Sequence, residues 1–304
     1  MPAKAVVENY ARLRDAHFRN GKIPMPLNSI NTNAQSLIAL QSLNRTNGEL
    51  SLIQKRVSTG YRVADARDDG GAFAVAQSVK SDMAGVVAVS EQLGGVKGIL
   101  ETTFAALTVV SDTMKQLRAT LTRLADGAIS SDQRKAYEEQ YTFLAAQVAS
   151  FVDDAGYNGR TLLSTATGGT PTGGNITAIR NETGGLFTIE AVDGASLKMT
   201  TTAPTNVAAA QASFNSGGAF DTAETAISKA LNKFGASMAF VESQISYNGK
   251  KADAMSNGLG ALVDADLARE SSALEGIKVR QQLGIQTLSL ANQGPQVLLS
   301  LFRN

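Results

Sequence analysis

The side chains able to perform acid–base or nucleophilic chemistry are scattered along this chain and not gathered. Adjacent carboxylates stand at Asp68–Asp69, Glu138–Glu139 and Asp153–Asp154. A catalytic pair needs an enclosed site that splits the two environments. Sequence neighbours at helix ends point apart, so these read as solvated or capping groups. His17 is the single imidazole and cysteine is absent. One chain therefore builds neither a His-based triad nor a two-histidine or thiolate metal centre. Gly168–Gly169 and Gly173–Gly174 lack the Lys-Ser or Lys-Thr and the strand-to-helix setting of a phosphate cradle, and read as linkers. Basic and acidic residues number 28 and 27, so no basic face advertises nucleic acid. No cofactor or metal is called for, and the chemistry points to packing.

The elements that would do this packing are heptad helices. Val86, Val89, Leu93, Val96, Leu100, Thr103, Leu107, Val110, Met114, Leu117, Leu121 and Leu124 alternate steps of three and four, and only Thr103 is not aliphatic. That is the seam of a long helix lying along partner helices. At 1.5 Å rise per residue it is roughly 58 Å long, too long to bury its own stripe. The pattern predicts a helix from about Gly71 to Asp126. A second follows, capped by Ser131 or Asp132, with Tyr137, Tyr141, Leu144, Val148 and Phe151 restating the seam and Gly156 ending it. Tyr157–Asn158–Gly159 reads as a turn. The heptad returns at Ile227, Leu231, Phe234, Met238, Val241, Ile245, Asn248, Ala252, Met255, Leu259, Leu262 and Asp266. Past Asp266 the stripe shifts by one residue through Leu267, Leu274, Ile277 and Leu288, as at a bend or a change of partners. Polar Asn47 and Asn248 fall on would-be seam positions, where they either fix register or mark rotation of the seam to solvent.

Both ends are uncharged. Leu27 to Asn44 contains no charged residue, and Leu37, Leu40, Leu43, Leu50, Ile53 and Val57 form an apolar stripe. Gln281 to Phe302 is likewise free of charge, with Leu283, Ile285, Leu288, Leu290, Val297, Leu298, Leu299 and Leu301. Chain ends normally stay polar in solvent, so two such ends read as buried, and together. Pro295, after Gly294, predicts a kink or terminus of the last helix. Tyr61 to Asp69 packs Arg62, Asp65, Arg67, Asp68 and Asp69 between Gly60 and Gly70, and reads as a hinge or looped spoke.

The middle differs. Thr165 to Gly174 is nearly all threonine, glycine and alanine, a turn-rich stretch. Leu186 to Glu190 alternates weakly, Val192–Ala195 offers a hairpin turn, and Ser196 to Thr200 reads as the returning strand. The hydroxyls of Ser164 to Thr205 suit O-linked sugars or an undecorated loop equally. No run of 18 apolar residues occurs, so no membrane-spanning helix is expected. Residues 1–24 carry five basic and two acidic groups without the apolar block of a secretory signal. They read as an upstream extension from a misassigned start before Met25, or as a basic targeting arm. Without them the charge is −2, from 23 basic and 25 acidic residues. The fold class is mainly α: a long antiparallel coiled-coil rod formed by the two halves, with a small hairpin-containing centre. The expected division is 25–70 plus 260–304 as terminal helices, 71–164 plus 220–259 as the coiled coil, and 165–219 as a short surface-facing region.

Several runs carry a family resemblance. Leu27–Asn28–Ser29–Ile30–Asn31–Thr32–Asn33, Leu37 to Asn44, Arg56–Val57–Ser58–Thr59–Gly60 and Ala66–Arg67–Asp68–Asp69 resemble the opening of bacterial flagellin. Asp264–Ala265–Asp266–Leu267–Ala268–Arg269–Glu270–Ser271 and Leu290 to Leu301 resemble its C-terminus. The likeness covers about 25–164 and 220–304, in that order. Family members begin at the residue matching Met25.

The resemblance implies a filament subunit, extracellular in the bacterial flagellum, exported unfolded by the type III apparatus with its chaperone and assembled beneath a cap. Its partners are other flagellin subunits, the cap and hook-junction proteins. Terminal helices of this family line the inner tube, which assigns Leu37, Leu40, Leu43, Leu298 and Leu301 to the inner core. Leu93, Leu100, Leu107, Met114, Leu121, Leu231, Met238 and Ile245 fall to the surrounding coiled-coil layer, and Arg67, Asp68 and Asp69 to the spoke. Arg67 with these aspartates could also bridge subunits. The alternative within the same design is a hook–filament junction protein; a different class, an enzyme or intracellular coiled-coil scaffold, would be a stable unsecreted monomer. One departure stands out. Where receptor-stimulating flagellins carry a Leu-Gln-Arg-Val-Arg-Glu-Leu-like motif, this chain has Met114–Lys115–Gln116–Leu117–Arg118–Ala119–Thr120, keeping only Arg118 and the apolar pattern. Weak recognition by Toll-like receptor 5 is the expectation.

Overall fold

The computed structural model describes residues 33–165 and 170–301, with the side chains of 294–301 excepted. Residues 1–24, the Gly168–Gly169 linker and the side chains of Leu298 and Leu301 therefore lie outside the described set. The elements, in order, are α1 (Ala34–Thr59), α2 (Gly70–Leu124), α3 (Ser131–Asp153), β1 (Ile176–Ile179), β2 (Leu186–Ile189), a 3-10 turn (Gly194–Leu197), α4 (Val207–Phe214), α5 (Ala219–Val263) and α6 (Leu267–Leu301). The chain divides into two compact units, one from residues up to Phe73 with those from Val263 onward, the other Ala74–Leu262.

In the Ala74–Leu262 unit, all twelve heptad positions from Val86 to Leu124 are buried. The aliphatic ones from Val89 onward share a core with Tyr141, Leu144 and Val148 of α3 and with Phe220, Ile227, Phe234 and Val241 of α5. Leu231, Met238 and Ile245 pack half-buried at its margin. By length and composition alone α2 could cross a bilayer. Its apolar stripe is instead filled by α3 and α5. Thr103 enters the seam because its hydroxyl donates to the Ile99 carbonyl at 2.8 Å, satisfying the buried polar atom within the helix. Tyr141 is fully enclosed, and burial raises its phenol to about 12.

Local chemistry sets the boundaries. α3 is capped by Ser130, not Ser131 or Asp132: Ser130 and Gln133 exchange side-chain-to-backbone bonds in a capping box, which satisfies two otherwise free amides. The Tyr157 to Arg160 turn closes through Asn158 and Gly159, both at positive φ, where Gly159 adopts the conformation without strain.

The centre departs from expectation. β2 pairs with the preceding Ile176–Ile179, Ile176 opposite Ile189 and Ile179 opposite Leu186, and not with Ser196–Thr200. The Asp193 carboxylate accepts the Ala195 amide, which turns Gly194–Leu197 into a 3-10 element and buries Leu197 and Met199. Ile176, Ala178, Ile189, Leu197 and Ala210 join the helical core.

In the other unit α1 and α6 pair. The breaks between helices bond to each other: Tyr61 bridges Asp264, the Arg62 amide donates to the Val263 carbonyl at 2.7 Å, and the Ala265 amide to Gly60 at 2.9 Å. Gly60 ends α1 in the left-handed conformation that glycine accepts most readily. α6 runs helical past Pro295 to Leu301, so the helix does not terminate at Gly294–Pro295.

Candidate assembly surface

α1 turns Ser36, Ala39, Leu43, Thr46, Leu50, Ile53 and Val57 inward as buried or half-buried positions. α6 does the same with Leu274, Ile277, Gln281, Gly284, Leu288 and Ala291. Both sets step by three and four, which makes each the seam of a helix pair. Small residues allow a close approach. A Cβ on Gly284 would lie 3.3 Å from Leu43 Cδ1, so that glycine is the hole for the leucine. Polar ties flank the seam: Ser36 Oγ donates to Asn292 Oδ1 at 2.8 Å, Gln281 Nε2 to Asn47 Oδ1 at 2.7 Å, and Arg56 Nη1 to Glu270 Oε1 at 3.3 Å.

The single apolar stripe read from the sequence is in fact split between two faces. Leu43, Leu50, Ile53 and Val57 lie in the α1–α6 seam, whereas Leu37 (58% exposed) and Leu40 (43%) point away from it. On α6, Val279, Leu283, Ile285 and Leu290 (70%) are likewise bare. The pair thus has a filled inner seam and unfilled apolar flanks. Contiguous exposed apolar surface on a protein marks an interaction site. The second face was missed because Leu37 and Leu40 keep a helical spacing to Leu43, while the seam itself takes the small neighbours Ser36 and Ala39.

The Arg67, Asp68 and Asp69 group is organised by Lys55, which the sequence did not single out. Lys55 Nζ reaches Asp65 Oδ2 at 2.9 Å and Asp68 Oδ2 at 2.7 Å. Asp68 Oδ2 also accepts the Ala64 amide at 3.0 Å. Arg67 donates to Asp65 and is otherwise exposed. Asp69 caps α2 by accepting the Gly71 and Ala72 amides. Hydrogen bonds from Lys55 hold both the Asp65 and Asp68 carboxyls below their ordinary value, and Lys55 is raised in return. The pattern of opposite charges ten and thirteen residues apart across Gly60 was the available signal.

Of the coiled-coil positions, Leu93, Leu100, Leu107, Met114 and Leu121 are buried. Asn248 is enclosed as well, its Nδ2 donating to the Arg180 carbonyl at 3.3 Å; Asn47 stays exposed and bonds Gln281. Arg118 pairs with Glu224 and lies 5.0 Å over the Phe220 ring. Among the described residues no group of three His, Cys, Asp or Glu side chains is placed to hold a metal.

Long heptad helices, a filled core and paired terminal helices with bare apolar flanks define a structural subunit built for helical assembly. Residues 30–167 match the bacterial flagellin N-terminal helical region and residues 218–302 the bacterial flagellin C-terminal helical region. The chain is 34% identical over 281 residues to flagellin FljK of Caulobacter vibrioides, covering 92% of this chain and 100% of that one. It is 35% identical over 288 residues to a flagellin of Brucella melitensis, covering 90% and 99%. The chain belongs to the bacterial flagellin family and is a subunit of the flagellar filament, a motility structure outside the cell. Nothing in the comparisons favours a hook–filament junction protein.

Proposed function

We propose that the α1–α6 pair is the element through which copies of this chain hold one another in the filament's inner layer. The observation that carries this is the exposure of Leu37, Leu40, Leu283, Ile285 and Leu290 on a helix pair whose own seam is already filled. Each buried leucine contributes about 1.5–3 kcal/mol when a neighbour covers it, and a lone pair of helices gains little else, so ordering of the ends is coupled to assembly. Leu298 and Leu301, further along α6, belong to the same inner layer in this reading. The seam residues Leu93 to Leu121 with Leu231, Met238 and Ile245 stiffen the surrounding layer. Lys55, Asp65, Arg67, Asp68 and Asp69 set the turn between layers. The same reading divides the chain into terminal helices, coiled coil and a middle segment that faces outward.

Export through the flagellar type III apparatus with a chaperone, assembly beneath a cap on hook-junction proteins, and weak recognition by Toll-like receptor 5 complete the reading. The last is supported by glutamine and threonine at positions 116 and 120 and by the engagement of Arg118 with Glu224 and Phe220. The decisive experiment changes Leu298 to aspartate. Secreted subunit that no longer polymerises supports the proposal; filaments of normal length contradict it.

A further inference from the structure

Helix α6 continues through Pro295, although proline has no amide hydrogen to donate four residues back. The carbonyl that loses its partner is that of Ala291. Asn33, at the start of α1, supplies the missing donor: its Nδ2 lies 2.7 Å from the Ala291 oxygen. The other end of the same amide, Oδ1, accepts the Ser36 amide at 3.1 Å and caps α1. One side chain therefore closes the first turn of one terminal helix and the proline gap of the other. The side-chain amide carries its donor and its acceptor on separate atoms of one planar group, so it serves both helices at once.

We infer that Asn33 is a register clamp, a positioning residue that fixes how far α1 is shifted along α6 by reading the proline-orphaned carbonyl at Ala291. A shift by one residue would move Asn33 to a carbonyl that already accepts a helical bond. It would also leave the Ala291 oxygen unpaired, which is costly where neighbours exclude water. Pro295 is thus a landmark that the helix hydrogen-bonding ladder cannot erase, and the surrounding Ser36–Asn292 bond reinforces the same register. The inference rests on the α1–α6 pair being the assembly element.

A double-mutant cycle in the full-length chain tests it. Asn33→Ser keeps a good cap but removes the amide donor. Pro295→Ala gives residue 295 an amide that closes the helix on Ala291, making the donor redundant. The readout is the critical concentration for polymerisation. Asn33→Ser should raise it about tenfold with Pro295 in place, and less than about twofold with alanine there. Equal effects in the two backgrounds would overturn the clamp and leave Asn33 a simple cap. If Pro295→Ala alone does not polymerise, each variant is copolymerised with excess unaltered chain. Incorporation of Asn33→Ser equal to that of the unaltered subunit then overturns the inference. Failure of the assembly reading is told apart by Leu37→Asp, which would still form filaments.

Discussion

The Lys251 ammonium and the Glu182 carboxylate meet at 2.5 Å, tying the turn between the two strands to helix α5. The same turn is anchored beside them, where Gln244 and Asn248 both donate to the Arg180 carbonyl. Gly85 of α2 completes the seat, since a Cβ there would come within 3.1 Å of Glu182 Cβ. The small hairpin is thereby a fixed part of the helical core. Replacing Glu182 with alanine should speed amide hydrogen exchange across 176–189 at least severalfold while leaving α2 protection unchanged. Unaltered exchange in the hairpin would show that apolar burial alone holds it.

That pair also fixes a pH window. The hydrogen bond from Lys251 holds Glu182 below its ordinary 4.5, and Glu182 in turn raises Lys251 above its ordinary 10.5. A depressed carboxyl contributes fully above its unfolded pKa and loses that contribution as pH falls through the folded value. A raised ammonium contributes fully below its unfolded pKa and loses it as pH rises through the folded one. Hairpin protection should therefore be flat near neutrality and fall at both extremes, measured by hydrogen exchange corrected for intrinsic rates.

At the turn after α1 the same logic predicts acid sensitivity. Asp65 and Asp68 are held low chiefly by Lys55, so their contribution to the turn is full above 3.8, their ordinary value, and is lost as pH falls through the lowered ones. Lys55→Met removes the main cause of both shifts. Filaments of this variant should begin to dissociate at higher pH than unaltered filaments, followed by light scattering.

The seam of α2 should behave as a packed core. Leu107 is wholly enclosed, and cutting it to alanine leaves a cavity costing about 2–5 kcal/mol. Chemical denaturation of the soluble subunit by circular dichroism should show that loss. Leu37→Asp, on exposed surface, should leave the same curve within about 0.5 kcal/mol yet abolish polymerisation.

Much of this was legible because a heptad repeat is a geometric statement: the twelve positions from Val86 to Leu124 could be assigned to one buried face without knowing the partner. The break at Gly60 to Asp69 and its counterpart near Asp266 were equally readable from glycine and from the phase shift. The hairpin was not. Ile176–Thr177–Ala178–Ile179 is too short to declare its period, and Asp193 looked like a hairpin residue when its carboxylate instead nucleates a 3-10 turn. The terminal helices misled for a different reason. Leu37 and Leu40 satisfy the spacing of Leu43, but small residues such as Ser36 and Ala39 take the intramolecular seam and release the leucines outward. Pro295 reads as a helix breaker in sequence because the compensating amide of Asn33 lies 258 residues away along the chain.

Hydrogen exchange compared between the soluble subunit and its polymer tests the central claim most directly. The account predicts that peptides from 34–59 and 267–293 exchange fast in the subunit and become strongly protected in the filament, while peptides from 86–124 are protected in both. Terminal helices as protected in the free subunit as in the polymer would contradict it.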